Sequence, residues 1–212
     1  MQTITEVALE KAGGGIFTRE QAALWVGNRS ARLNALLKRA VASGEVWRLH
    51  RGLYCLSRRY TQGRIDPLVL AQRIHGPSYI SLETALSHHG WIPEAVHTVT
   101  SASTGRSRTF DTPIGLFSFT RVPQRNFMAG VRRTSNHDGG AFLLATPLKA
   151  LADYVYVQHC DWRSAAPVVE SLRVEEQALA ELTGELFDEV ISAYKPGRVS
   201  RFLTGLRKDL MS

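Results

Sequence analysis

Residues 18–56 change from a helical pattern to a strand-like one, and this order limits the folds that the chain can adopt. Thr18 with Gln21 three residues later forms a capping box, so a helix is predicted to begin at Arg19. After a break at Gly27, with Asn28 as the predicted cap, a second apolar stripe follows at the spacing of one helical face. Its members are Leu33, Leu36, Leu37, Ala40 and Val41. The sequence therefore predicts a helix-turn-helix.

A basic hairpin is predicted directly after this helix pair. Residues 45–49 and 53–56 are strand-like runs around His50-Arg51-Gly52, where glycine accepts a positive φ. The apolar alternation of the first run is imperfect, which predicts a bulge or a frayed strand. A short helix from Ile4 to Ala12, ended by three glycines, precedes these elements. Three helices and a hairpin indicate an N-terminal winged helix-turn-helix.

The excess positive charge lies in the same region. Residues 1–64 hold 11 Lys and Arg against 4 Asp and Glu, whereas residues 65–212 hold 15 of each. Because a cation that neutralises a phosphate releases a condensed counterion, a clustered basic surface indicates polyanion binding. We therefore predict a DNA-binding domain at residues 1–64 and a second domain at residues 65–212.

The face of the third helix opposite its apolar stripe carries small residues along its middle and long donors at its edges. Such a face suits the major groove, and a basic hairpin beside it suits phosphates or the minor groove. An exposed helix face also carries Ala, Lys and Arg for other reasons, so the helix alone leaves both interpretations open. The face comprises Ala31, Ala35, Lys38 and Ala42, flanked by Arg32, Asn34 and Arg39, and the hairpin adds Arg48, His50 and Arg51.

The second domain is predicted to be α+β, with a mixed sheet packed by helices and a helical C-terminal part. Asp66-Pro67 predicts a capped helix start, and Ser81 is expected to cap a short helix that ends at Gly90. Residues 96–122 have a strand-like pattern, with strands expected at 96–100 and along the alternating Leu116, Phe117, Phe119 and Val122, and a further strand is expected at 141–145. Thr146-Pro147 predicts a long helix, and three or four more helices are expected over residues 164–210.

No catalytic, metal or cofactor site is predicted, and the chain is expected not to be an enzyme. Glu83, His88 and His89 lack the His-Glu-x-x-His spacing, and adjacent histidines lie about 100° apart on a helix. A helix-end or solvated position is expected for them. The carboxylates considered for a nuclease lack a carboxylate-x-Lys pair after a strand; they are Asp111, Asp153 and Glu170.

Other residues of the chain receive simpler predictions. Cys55 and Cys160 lack metal-ligand spacing and are expected to be buried and reduced. The apolar runs are shorter than the roughly 18 residues of a membrane span, so a cytoplasmic location without membrane contact is expected. Glu175, Glu176 and Glu189 are assigned to a solvated helical face.

A second set of arginines indicates either solvated loops or a second phosphate-binding surface: Arg106, Arg108, Arg132 and Arg133.

Several blocks resemble one protein family. Residues 46–54, VWRLHRGLY, resemble the wing signature of AbiEi-type antitoxins, the transcription-regulating halves of type IV toxin-antitoxin systems. Residues 79–86 with His89-Gly90-Trp91, residues 96–100 and residues 141–153 are similar to later blocks of that family. The resemblance covers roughly residues 18–155 in matching order and does not extend over the last 57 residues.

This resemblance implies a repressor of its own promoter that binds repeated DNA sites through the winged helix. It also implies a second domain that opposes a nucleotidyltransferase-like toxin without obligatory contact. A solitary regulator and, as a further alternative, a nucleic-acid-processing enzyme that uses the winged helix for docking stay open, with a monomer expected in solution. The DNA contacts that the resemblance implies are Arg29, Ser30, Arg32, Asn34, Lys38, Arg39, Arg48, His50 and Arg51.

Overall fold

A computed structural model describes residues 2–27, 30–61, 65–137 and 139–211. The chain divides into two compact units, residues 1–70 with 110–116 and residues 71–109 with 117–212. The predicted boundary after residue 64 adjoins residues 62–64, which lie outside the described ranges.

The helices are α1 (Ile4–Lys11), α2 (Arg19–Trp25), α3 (Ser30–Ala42), α4 (Arg58–Thr61), α5 (Pro67–Ile74), α6 (Leu82–His88), α7 (Pro147–Val157), α8 (Ala166–Leu172), α9 (Glu176–Ala180), α10 (Gly184–Ala193) and α11 (Arg198–Met211). The strands are β1 (Ile16–Thr18), β2 (Val46–His50), β3 (Leu53–Leu56), β4 (Ser78–Ile80), β5 (Thr98–Ser103), β6 (Arg108–Thr112), β7 (Gly115–Arg121), β8 (Val131–Ser135) and β9 (Ala141–Ala145).

The first unit places three helices against a small sheet of order β1-β3-β2. The predicted capping box is confirmed, because the Gln21 backbone N–H donates to Thr18 Oγ1 at 3.2 Å and the Thr18 backbone N–H donates to Gln21 Oε1 at 2.8 Å. Strand β1 was not predicted, and its Phe17 opposes Tyr54 of β3. Buried side chains from every one of these elements form one core, including Ile4, Phe17, Leu33 and Val46.

Helix α3 ends in a Schellman-type turn that leads directly into the hairpin. Gly44 has φ 68°, and the Glu45 and Gly44 backbone N–H groups donate to the carbonyls of Ala40 and Val41. The predicted hairpin is confirmed with a shifted boundary, because β2 covers residues 46–50 rather than 45–49. The predicted bulge is also confirmed, since the β2–β3 register shifts between Arg48 and His50.

The second unit contains strands of a six-stranded sheet of order β6-β7-β5-β4-β9-β8, and the segment 110–116 at its β6–β7 turn groups with the first unit. Strand β4 pairs antiparallel with β5 and parallel with β9, so the predicted mixed sheet is confirmed. Strands β4 and β8 were not predicted, and β5 begins at Thr98 rather than Val96. Helix α7 packs against β9 and against α6, α10 and α11.

Of the local expectations for residues 65–212, three are met and two are corrected. Asp66 Oδ1 accepts the Leu68 backbone N–H at 2.7 Å, α7 begins at Pro147, and four helices cover the C-terminal part. Ser81 precedes α6, but its hydroxyl does not hydrogen-bond to the start of that helix. The hydroxyl is buried in the core instead, where it donates to the carboxylate of Asp153. Cys55 is buried as expected, whereas Cys160 is only half-buried.

Candidate nucleic-acid interface

Helix α3 divides cleanly into a buried and an exposed face. Leu33, Leu36, Leu37 and Ala40 are between 1% and 7% exposed and pack into the core of the first unit. Val41 was predicted to join them but is 38% exposed, because it lies at the edge of the stripe. The predicted outward-facing residues Ala31, Arg32, Asn34, Ala35, Lys38, Arg39 and Ala42 are all exposed.

A groove of about 420 Å³ runs along one side of this exposed face. Asn34, Lys38, Val41 and Ala42 line it from α3, and Arg48 and Tyr54 line it from the hairpin. The exposed position of Val41 therefore has a reason, since the side chain forms part of the groove wall. The groove brings a helical cation and a strand cation, Lys38 and Arg48, to the same concavity.

The hairpin tip is shaped by its glycine and by contacts among its own residues. Gly52 has φ 87°, a conformation that side chains with a Cβ rarely adopt. Arg51 is exposed in the turn, and Arg48 is exposed while its Nε lies 3.4 Å from the His50 carbonyl. The Nδ1 atom of His50 donates to the Arg51 carbonyl at 2.9 Å, and the His50 ring lies 5.5 Å from the ring of Phe110. His50 is thus half-buried, and Arg48 and Arg51 carry the exposed charge.

Several cations on this surface form no ion pair with any residue that the structure describes. Within the part of the chain that the structure describes, no ion pair involves Arg32, Lys38, Arg39 or Arg51. Exposed cations without counter-charges in the protein are available to an external anion. This charge, together with the alanines between the cations, distinguishes the α3 surface from a helix face covered by intramolecular salt bridges.

The N-terminus of α2 supplies a residue that sequence reasoning missed. The Arg19 backbone N–H donates to the carbonyl of Gly52 in the hairpin turn at 2.8 Å. Its guanidinium donates to Asn34 Oδ1 at 2.9 Å. Arg19 therefore joins α2, the hairpin and the exposed face of α3. The sequence signal was its position directly after the capping Thr18, which indicated a helix start and nothing more.

Two implied DNA contacts cannot be placed. Arg29 lies outside the described residues, as does the predicted cap Asn28, and Ser30 is described only as the first residue of α3. The other seven implied contacts lie on α3 or the hairpin: Arg32, Asn34, Lys38, Arg39, Arg48, His50 and Arg51.

The structure does not bring the four arginines of the second predicted phosphate surface together. Arg108 lies on β6 and Arg132 and Arg133 on β8, which are opposite edge strands of the six-stranded sheet, and Arg106 precedes β6. Arg132 is moreover bound by Glu189, with Arg132–Glu189 N···O distances of 2.9 and 2.5 Å. A single surface built from all four is therefore incorrect. Glu189, assigned to a solvated face, is half-buried there, pairs with Arg132 and accepts the Gly130 backbone N–H at 2.8 Å.

The Arg132–Glu189 pair should stabilise the fold at neutral pH and lose this contribution in acid. Hydrogen bonds from Arg132 and the Gly130 backbone lower the Glu189 pKa from 4.5 to about 2. The unfolded state therefore binds this proton more readily, so the contribution of Glu189 is present above pH ~4.5 and is lost as pH falls towards 2. We expect Glu189→Gln to be less stable than wild type at pH 7 and to approach it near pH 2, measured by urea unfolding. Glu185→Gln, on an exposed position of the same helix, is the control; an equal deficit of Glu189→Gln at both pH values would contradict the prediction.

A cluster of buried polar groups lies inside the second unit. Lys149 and Asp153 are both 0% exposed, with Lys149 Nζ 3.0 Å from Asp153 Oδ1. Asp153 also accepts hydrogen bonds from Tyr79, Ser81 and Tyr194, at 2.9, 2.7 and 2.5 Å. Asp153, one of the carboxylates considered for a nuclease, is thus enclosed in the core.

The other residues considered for metal chemistry are dispersed. Among the described residues, no three His, Cys, Asp or Glu side chains are grouped so that they could hold a metal ion. His89 occupies the end of α6, as expected, and its Nε2 contacts the Ala145 carbonyl at 2.8 Å. In the described ranges, none of the helices has both the length and the apolar character needed to cross a membrane.

Comparison with known proteins bears on the first unit, where the helices and the hairpin form the exposed basic surface. Residues 5–57 match the family model of AbiEi antitoxins, which are transcriptional regulators. This match confirms the AbiEi resemblance over residues 18–57, extends it back to residue 5, and leaves the similar blocks between residues 66 and 155 outside the matched region. No curated protein matches the chain.

Proposed function

We propose that this chain is a transcriptional repressor that binds double-stranded DNA as a winged helix. In this proposal α3 is the recognition helix and the β2–β3 hairpin is the wing. The observation that carries the proposal is the α3 surface, where exposed cations that form no ion pair among the described residues border a strip of alanines and adjoin a groove shared with the wing. The AbiEi match covers the same elements, which supports regulation of transcription as the purpose of this binding.

The chemistry of the surface suits a duplex better than an acidic protein. Ala31, Ala35 and Ala42 let the α3 backbone approach base edges closely, and methyl groups suit apolar contact with thymine. Arg32 and Arg39, seven residues apart, lie together on one side of this strip and Lys38 lies towards the other, where phosphates on either side of a major groove would lie. Arg51 in the wing turn extends the same positive surface beyond the helix. Phosphate contacts and base contacts are thereby separated on one surface.

The proposal extends to an antitoxin of the type IV class that represses its own promoter in the cytoplasm. The second unit would then oppose a nucleotidyltransferase-like toxin without obligatory contact, and neither unit would catalyse a reaction. The AbiEi match supports the antitoxin class, and enclosure of the Lys149–Asp153 pair is consistent with a stabilising rather than a catalytic pair. A solitary regulator with the same DNA-binding unit is the alternative.

The test is binding of the purified full chain to a labelled duplex of its own upstream DNA, against a shuffled duplex, over a salt series. With about five phosphates neutralised, affinity should fall roughly five-hundredfold between 50 and 200 mM salt. Specific binding should exceed binding to the shuffled duplex by ~10³ or more. Equal affinity for both duplexes would refute the repressor assignment.

A further inference from the structure

Asn34 is held by Arg19 in one orientation on the exposed face of α3. Arg19 is anchored through its backbone to Gly52 of the wing, and its side chain donates to Asn34 Oδ1 at 2.9 Å. A guanidinium has only donors, so the atom of Asn34 that faces it is the carbonyl oxygen. The Nδ2 amino group of Asn34 is consequently the atom left to face a ligand in the groove that Asn34 lines.

This orientation changes which base an asparagine can read. An asparagine that reads adenine uses its Oδ1 to accept from N6 and its Nδ2 to donate to N7. In this protein Oδ1 already accepts from Arg19, and an adenine N6 amino group placed there would meet a positive guanidinium. Guanine presents only acceptors, O6 and N7, on its major-groove edge. Donation from Nδ2 and the nearby positive charge both favour that edge.

We propose that Arg19 is a positioning residue that makes Asn34 a hydrogen-bond donor, so that Asn34 selects guanine rather than adenine at the base pair it faces. The inference rests on the proposed DNA-binding function and adds its specificity. Arg19 acts through Asn34 in this arrangement and makes no base contact of its own. Its effect should therefore be confined to one position of the bound site.

The experiment measures the affinity of the full chain for its upstream duplex with each base pair replaced in turn by the other three. The base pair of the duplex at which Asn34→Ala loses the base preference of wild type is the one that Asn34 contacts. At that position wild type should prefer guanine over adenine by about tenfold. Arg19→Ala should move the preference towards adenine there and leave the other positions and the salt dependence unchanged.

Several variants separate positioning from other roles of Arg19. Arg19→Lys keeps a donor for Oδ1 and should retain the guanine preference. In an Asn34→Ala background, Arg19→Ala should have no further effect on base preference. Arg58→Ala removes an exposed arginine of the same unit and is the matched control. Replacement of the selected guanine by 7-deazaguanine, which lacks N7, should lower the affinity of wild type about fivefold and leave that of Asn34→Ala unchanged.

Other outcomes of these experiments would contradict the inference. If Arg19→Ala weakens binding to all duplexes alike and lowers the salt slope by about 1, Arg19 is a phosphate contact and the inference is wrong. A wild-type preference for adenine at the Asn34 position would also overturn it, with the repressor assignment intact. Equal binding of wild type to native and shuffled duplexes would overturn both proposals.

Discussion

Replacement of Asp153 by alanine is expected to destabilise the second unit by about 3–5 kcal/mol. The carboxylate accepts hydrogen bonds from Lys149, Tyr79, Ser81, Tyr194 and the Gln124 amide. Its removal leaves the fully buried Lys149 without a counter-charge and leaves three hydroxyl groups without this acceptor. Burial already lowers the pKa of Lys149, and the attraction of Asp153 opposes that effect.

The stability of the second unit can be measured separately from that of the first. Hydrogen exchange of the α7 amides at residues 147–157 reports opening of the helix that carries both charged residues. Asp188→Ala is the matched control, because it also removes one carboxylate of an ion pair, but the Asp188 side chain is 68% exposed. That control should cost less than about 1 kcal/mol. A cost of Asp153→Ala no larger than that of the control would show that the buried cluster does not stabilise the unit.

The deficit of Asp153→Ala should also depend on pH. Without the carboxylate, the pKa of the buried Lys149 falls further below that of the unfolded chain, so the unfolded state binds the proton more tightly. Stability of the variant should then rise with pH between the folded and unfolded pKa values. A smaller deficit at pH 9 than at pH 7 is the expected result.

The first unit could be predicted from sequence because its determinants are local. A capping box, one apolar helical stripe and a glycine at φ 87° each specify a few neighbouring residues, and together they gave α2, α3 and the hairpin. Strand β1 was missed because three residues carry no periodic pattern and depend on pairing with β3. Arg19 was missed as a site residue because its contact to Asn34 crosses from one helix to another.

The second unit was predicted less completely because its determinants lie far apart in sequence. Strand β8 reads as polar, Val-Arg-Arg-Thr-Ser, and becomes a strand through pairing with β9. Lys149 and Asp153 have the i, i+4 spacing of an exposed helical ion pair, and only the packing of α7 between β9 and other helices buries them. The prediction of one phosphate-binding surface from Arg106, Arg108, Arg132 and Arg133 was wrong for the same reason, since β6 and β8 are opposite edge strands of the sheet.

Simultaneous replacement of Arg32, Lys38 and Arg51 by alanine is expected to lower affinity for the upstream duplex by about 500-fold at 0.1 M salt. Each of these exposed cations lacks an acidic partner among the described residues, so each is free to neutralise one phosphate. Three lost contacts should reduce the slope of log affinity against log salt by about 2.7. The fold should be unaffected, because none of the three side chains packs in the core.

A second triple variant separates the position of these charges from their number. Arg106→Ala, Arg108→Ala and Arg133→Ala together remove the same three positive charges from exposed positions outside α3 and the wing. If α3 and the wing bind the phosphates, this variant should keep the wild-type salt slope within about 0.5 while losing the same net charge. An equal fall in slope for both variants would mean that DNA affinity follows overall charge, and the assignment of the interface to α3 and the wing would then be wrong.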